Sequence, residues 1–216
     1  MNKILAFLLL GFVLSKDLIM IGDSRIMDMA NMLLGIPLSY FYAQLVYRTD
    51  IIATESPFPY EDYEIQVTAI EDINFIFKAG EIANKYVHQH LSGAKEGTNV
   101  LLSLGTDNLD WRDTIFNFCG RLADKYPNLN FYLIPVIGLR DPTINSSIIE
   151  FNKNIKNHIE VVGFDNLKFK DILKDDNPNV IMVGDQEIDI TLFFSEGNLF
   201  FKNGYARIFS AMVEGL

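Results

Sequence analysis

The stretch Ile19-Met20-Ile21-Gly22-Asp23-Ser24-Arg25 decides how this chain is read. The apolar run from Leu18 to Gly22 has the length and composition of a buried strand. It stops at Gly22-Asp23-Ser24 and passes into Ile26–Leu34, whose spacing predicts a helix ended by Gly35 and Pro37. A serine hydroxyl therefore falls at the carboxyl end of a first strand, where open α/β sheets keep their sites.

Outward from that stretch, strand-like and helix-like segments alternate. Asn74–Lys78, Asn99–Leu104, Phe131–Val136 and Leu167–Phe169 are predicted strands. Glu81–Leu91, Asp113–Tyr126, Thr143–Ile159 and Lys202–Val213 are predicted helices, the third capped by Asn145 or Thr143. Strands separated by helices of ten or more residues pair in parallel through crossovers. The expected fold class is α/β: a three-layer α/β/α sandwich with a central parallel sheet, flavodoxin-like in type. Two segments break the alternation. Ser39–Asp72 is long, aromatic and polar, with Pro57 and Pro59 in its middle, and reads as an irregular surface excursion, or else as a lid or edge hairpin. Asp175–Phe194 is rich in Asp and Asn and then β-like.

The bulk composition bounds the function. A chain of 216 residues suffices for one well-filled domain, and a 49% hydrophobic content supplies its core. A formal net charge of −10 argues against nucleic acid and against an anionic membrane surface as partners. Lys3 followed by the apolar run Ile4–Leu14 and Ser15 has the pattern of a secretory signal peptide cleaved near Ser15–Lys16, too short to span a bilayer. The expected mature domain is then 16–216, secreted or extracytoplasmic, with no stable membrane span. The alternative is a cytoplasmic domain with a buried first element. If the chain is secreted, Asn145-Ser146-Ser147 is a glycosylation sequon. The single Cys119 lies in an apolar helical segment and reads as a core residue. No cofactor or metal-binding motif is present, and none is expected to be required.

Four landmarks gather on the edge that carries Ser24: that serine, Gly80, Gly105-Thr106-Asp107-Asn108-Leu109 and Glu196-Gly197-Asn198-Leu199. In these blocks, and across nearly the whole of 16–216, the chain resembles the SGNH (GDSL-type) hydrolase family. Gly22-Asp23-Ser24-Arg25 is similar to the family's first block, and Gly80 falls where its second-block glycine belongs. Gly105–Leu109 is similar to the third block, usually Gly-x-Asn-Asp-Leu, and Glu196–Leu199 to the fifth, usually Asp-Gly-x-His. The resemblance implies an acyl-ester chemistry with Ser24 as nucleophile. It places the orienting acid at Glu196, the proton-accepting histidine at position 199, and oxyanion donors at Ser24, Gly80 and the third-block asparagine.

Two positions depart from that pattern. Leu199 stands where the histidine belongs, and leucine accepts no proton. Asp107 stands where the oxyanion asparagine belongs, and a carboxylate there repels developing negative charge unless Asn108 takes its place. His88 and His90 fall down the helix after Gly80, and His158 near the end of another, so none is expected at the serine. The resemblance therefore implies an esterase- or deacetylase-like protein with a degenerate catalytic set that retains a pocket for a small acylated or carbohydrate ligand. One alternative is an active carboxylic-ester hydrolase with a rearranged base; another is an interaction protein using residues 39–72. Arg25, Trp111 and Arg140 are candidate ligand contacts, with Tyr40, Phe41, Tyr42, Tyr47, Phe58 and Tyr60 as a candidate aromatic wall. Asp23, Asp107, Asp110, Asp141 and Glu196 gather at the same edge as a salt-bridge network or a hard-cation site, although their spacing follows no known metal loop.

Overall fold

The computed structural model describes residues 16–23, 25, 26, 28, 29, 32, 44–48, 63–69, 87, 88, 91–106, 109–195 and 199–216. Six strands form the main sheet: β1 (Lys16–Gly22), β2 (Gln44–Arg48), β3 (Tyr63–Ala69), β4 (Asn99–Ser103), β5 (Asn130–Leu133) and β6 (Leu167–Phe169). Their spatial order is β2-β3-β1-β4-β5-β6. β3, β1, β4, β5 and β6 run parallel, and β2 closes the edge antiparallel to β3. Without β2, the second parallel strand lies beside the first on one side while the third to fifth follow on the other. That is the flavodoxin-like winding, with its switch point between β1 and β4.

Alternation along the strands builds the layers, because successive side chains of a strand point to opposite faces. Leu18 and Met20 of β1 join Leu101 of β4 in a core closed by Tyr205, Ile208, Phe209 and Met212 of helix α3 (Lys202–Val213). Ile19 and Ile21 join Val100 and Leu102 in a second core on the other face. Helices α1 (Arg112–Lys125) and α2 (Asn145–Val162) close that core through residues such as Cys119, Leu122, Ile148 and Ile155. The expected α/β architecture, a parallel sheet between helical layers, is the one observed. Cys119 is fully buried, and burial pushes its thiol up to about 12. None of the described helices is long and apolar enough to cross a membrane.

Two local expectations change. The segment read as an irregular excursion, 39–72, contributes β2 and β3, two strands of the main sheet. The second parallel strand is thus Tyr63–Ala69, whereas the predicted strand Asn74–Lys78 and Gly80 lie outside the described residues, as do residues 1–15. Polar residues alternate with Tyr63, Ile65 and Val67 here, and that pattern also fits a solvated segment. Secondly, no side chain caps α2, whose N-cap is Ile144; the cap is Asp141, on the 3-10 turn before it. Its Oδ1 accepts from the Thr143 N–H at 2.9 Å and from the Thr143 hydroxyl at 2.7 Å, closing a 3-10 turn over Pro142–Ile144. Those two donors hold the Asp141 carboxyl below the usual range.

The Asp- and Asn-rich segment, read as β-like in its later part, is β there: it belongs to an antiparallel sheet of β7 (Leu173–Lys174), β8 (Asn177–Val183) and β9 (Gln186–Asp189). Asp175 and Asp176 make its first turn at φ 50° and 59°, the left-handed pair that a two-residue hairpin of this twist requires. The small sheet is fixed to the main one where the Gly138 N–H donates to the Pro178 carbonyl at 2.6 Å.

Candidate functional site

In a sheet of this winding the connections after β1 and β4 depart in opposite directions, and a crevice at the carboxyl ends of those strands is the general place for a site. The chain is tightly drawn there. A side chain at Gly22 would collide with Ile26 and with the Ser103 carbonyl, so only glycine lets the first helix start so close to β4. The Asp23 N–H donates to the Ser103 carbonyl at 3.1 Å, and the Ile26 N–H donates to the Asp23 carbonyl at 3.1 Å.

Asp23 fastens the two exits together. Its side chain is only 5% exposed. Oδ1 accepts from the Arg25 N–H at 3.2 Å and Oδ2 from the Thr106 N–H at 2.8 Å, across the 83 positions separating the two residues. One carboxylate therefore joins Arg25, after β1, to Thr106, after β4. Gly105, at φ +108°, makes the reversal after β4.

Two more connections reach this edge. The buried Asn152 of α2 clasps Val136 just after β5, accepting from its N–H at 2.9 Å and donating to its carbonyl at 2.8 Å. Arg140, further along the same connection, donates from Nη1 to the Ser195 carbonyl at 3.2 Å. Ser195 belongs to a tight hairpin. Phe194 and Phe200 form an antiparallel bridge with rings stacked at 4.5 Å. The Ser195 N–H donates to the Leu199 carbonyl at 2.9 Å and the Phe201 N–H to the Phe193 carbonyl at 2.8 Å. Ser195 and Leu199 are thereby held together, and Arg140 ties Ser195 to the connection after β5.

Of the candidate site residues, Ser24, Gly80, Asp107, Asn108 and Glu196 lie outside the described residues. Leu199 is described, and its side chain is 41% exposed. Arg25, expected as a ligand contact, is 3% exposed and is turned inward. Its guanidinium lies 4.7 Å from the centre of the Phe200 ring, a cation–π contact that joins the Ser24 turn to the hairpin. Charge on the residue after Ser24 suggests a surface contact from sequence; the aromatic hairpin makes burial the better outcome. Trp111 sits at the start of α1, partly buried against the α1–α2 core. Arg140 alone of the three expected contacts is exposed at this edge.

Among the described residues, no histidine is placed at this edge, and the Asp23 carboxylate is engaged by two N–H groups. Tyr205 is buried beside Arg25; burial pushes its phenol up to about 12 against the opposing pull of the Arg25 charge, so it stays protonated at neutral pH. His88 bonds through Nδ1 to the Tyr126 hydroxyl at 2.8 Å, at the end of α1 remote from the crevice. Burial and then the Lys125 charge lower its pKa. His158 stacks on Phe116 at 3.6 Å, about 20 Å along α2 from the end nearest the crevice. His90 lies outside the described residues.

A cavity of about 340 Å³ opens beside the third block, between the start of α1 and α2. Leu109 and Phe151 provide its apolar surface, and Asp110, Arg112, Asp113 and Glu150 its charged walls. Arg112 and Asp113 pair at 2.9 Å, which holds the Asp113 carboxyl below its usual range. Sequence reasoning missed the Asp23 and Asn152 clasps. The spacing of Asp23 to Arg25 fits an Asx turn and was a usable signal; Asn152 lies mid-helix and gave none.

The strand order places the chain among α/β proteins of flavodoxin-like winding. No protein-family model and no curated protein matches the sequence. Among solved structures, the chain is similar to one from Streptococcus pneumonia described as "a putative platelet activating factor". The TM-score is 0.56 at 12% identity, over 91% of this chain and 82% of that one. At this identity the likeness establishes a shared fold.

Proposed function

We propose that this protein is an SGNH-hydrolase-like chain that keeps the serine edge of an esterase as a binding site and has lost the means to activate the serine. The observation that carries this reading is the absence of a histidine at this edge among the described residues; the carboxylate there, Asp23, spends both oxygens on the N–H groups of Arg25 and Thr106. Leu199 occupies the hairpin position that the family resemblance gives to histidine, Tyr205 stays protonated, and His88 and His158 lie away from the crevice. A serine hydroxyl without a base is a weak nucleophile at neutral pH. The pinned Asp23 turn and the neighbouring cavity support retention of a ligand site for a small acylated or carbohydrate molecule. On this reading the apolar segment before Lys16 is a secretion signal.

The test is hydrolysis of p-nitrophenyl acetate by the full chain and by Ser24→Ala. Loss of the base in serine hydrolases lowers kcat by roughly 10⁴-fold or more. Turnover by the native chain is expected to equal that of Ser24→Ala, at or near the uncatalysed rate. Saturable turnover abolished by Ser24→Ala would replace this reading with an active esterase using a base outside the described residues.

A further inference from the structure

Asn145-Ser146-Ser147 is the single Asn-x-Ser/Thr sequence of the chain, and it opens α2. An asparagine near a helix start ordinarily spends its side chain on capping. Here Asp141 caps the preceding turn, accepting from both donors of Thr143, and the Asn145 side chain is left over. The Asn145 backbone is fixed: its N–H donates to the Pro142 carbonyl, and φ −58° with ψ −36° places it in the helical region. The two ends of its amide differ. Oδ1 is enclosed and finds no hydrogen-bond partner among the described residues. Nδ2 makes no hydrogen bond to them either and is not enclosed, so it is the accessible end of this half-buried residue. Ser146 and Ser147 are exposed. Replacing one Nδ2 hydrogen by a sugar therefore breaks no hydrogen bond to the described residues and leaves the buried oxygen in place.

We propose that Asn145 is the acceptor of an N-linked oligosaccharide, attached through Nδ2. The proposal rests on the secretion signal read before Lys16, because this modification belongs to chains that enter a secretory compartment. In the transfer, Nδ2 attacks C1 of the first sugar of a polyprenyl-diphosphate oligosaccharide. The C1–N bond forms and the C1–O bond to the diphosphate breaks. The diphosphate leaves with the bonding pair, and Nδ2 gives up one of its two protons. The middle residue, Ser146, is compatible with the acceptor sequence, which excludes only proline there. Residues two apart on a helix do not share a face. Ser147 lines the cavity between α1 and α2, so the sugar at Asn145 and the cavity belong to different faces of α2.

The experiment expresses the full chain in a secreting eukaryotic cell, once with its own N-terminus and once behind a foreign cleavable signal. Treatment of the secreted chain with a peptide N-glycosidase is expected to remove the mass of one glycan and to convert Asn145 to aspartate, mapped by mass spectrometry. Asn145→Gln and Ser147→Ala are each expected to abolish the mass step completely, and Ser147→Thr to keep it. The glycosylated chain and its endoglycosidase-trimmed form are expected to share one Tm, as an accessible Nδ2 requires. Secretion behind the foreign signal without a glycan overturns the proposal and leaves the secretion reading standing. A glycan added only behind the foreign signal supports the acceptor and strikes the secretion reading instead. A mass step that persists in Asn145→Gln, or a Tm that rises on trimming, overturns the proposal.

Discussion

Gly105→Ala is expected to destabilise the protein by about 4 kcal/mol, a large effect for one added methyl group. Two costs combine. The backbone at φ +108° is one that side chains other than glycine rarely adopt, and forcing it costs about 1–3 kcal/mol. The added Cβ would also lie 2.7 Å from Phe151 Cζ and 3.1 Å from Val136 Cγ2, inside a packed core, for about another 1–3 kcal/mol. Chemical denaturation of native and variant chains checks the sum. Phe151→Leu in the Gly105→Ala background separates the parts, because it opens space without relieving the dihedral. The double variant should recover part of the loss and never all of it.

Asp23→Ala is expected to cost roughly 3 kcal/mol, since it leaves the buried N–H of Arg25 and the part-buried N–H of Thr106 without their charged acceptor. For a chain of this length that is a fall on the order of 9 °C in Tm. Asp23→Asn is the informative control. An amide can present its oxygen to one of the two donors, but its NH₂ then faces the other, so most of the loss should persist. Recovery of full stability in Asp23→Asn would show that the carboxylate is not the clasp between the two loops.

Both effects fall at residues flanking the Ser24 turn and the third block, which is why the sequence could be read at all. Close packing of a helix start on β4 demands Gly22, a reversal after β4 demands Gly105, and a single carboxylate joins them. Such constraints leave short, recognisable strings. β1, β4 and β5 were legible as apolar runs, and α3 as an amphipathic one bounded as observed at Lys202–Val213. β3 was not. Its polar alternate residues resemble those of a solvated loop, and its parallel pairing to β1 rests on contacts 47 positions away, as in Lys16 with Tyr63. The β7–β9 sheet was legible only as a β-like stretch after an Asp- and Asn-rich one, because its pairing depends on turns at Asp175-Asp176 and Gly184-Asp185 whose significance rests on the strands around them.

The site divides in the same way. The chemical types at Ser24, Asp107 and Leu199 come directly from the residues, and with them the expectation of a missing base. Whether a charged residue near the serine faces ligand or core does not. Arg25 turns inward because Phe200 supplies an aromatic face for it, a contact between residues 175 positions apart that no local pattern encodes. Arg140 reaches the fifth-block hairpin for the same kind of reason, through a carbonyl acceptor at Ser195 that any residue type could present.

The central claim is that Ser24 is not activated, and its most direct measurement does not depend on choosing a substrate. Fluorophosphonates phosphonylate serines that a neighbouring base has made nucleophilic. The full chain, exposed to such a reagent at neutral pH and weighed intact by mass spectrometry, is expected to gain no adduct beyond that of Ser24→Ala. Stoichiometric phosphonylation of the native chain, mapped to Ser24 and absent in Ser24→Ala, would contradict the account.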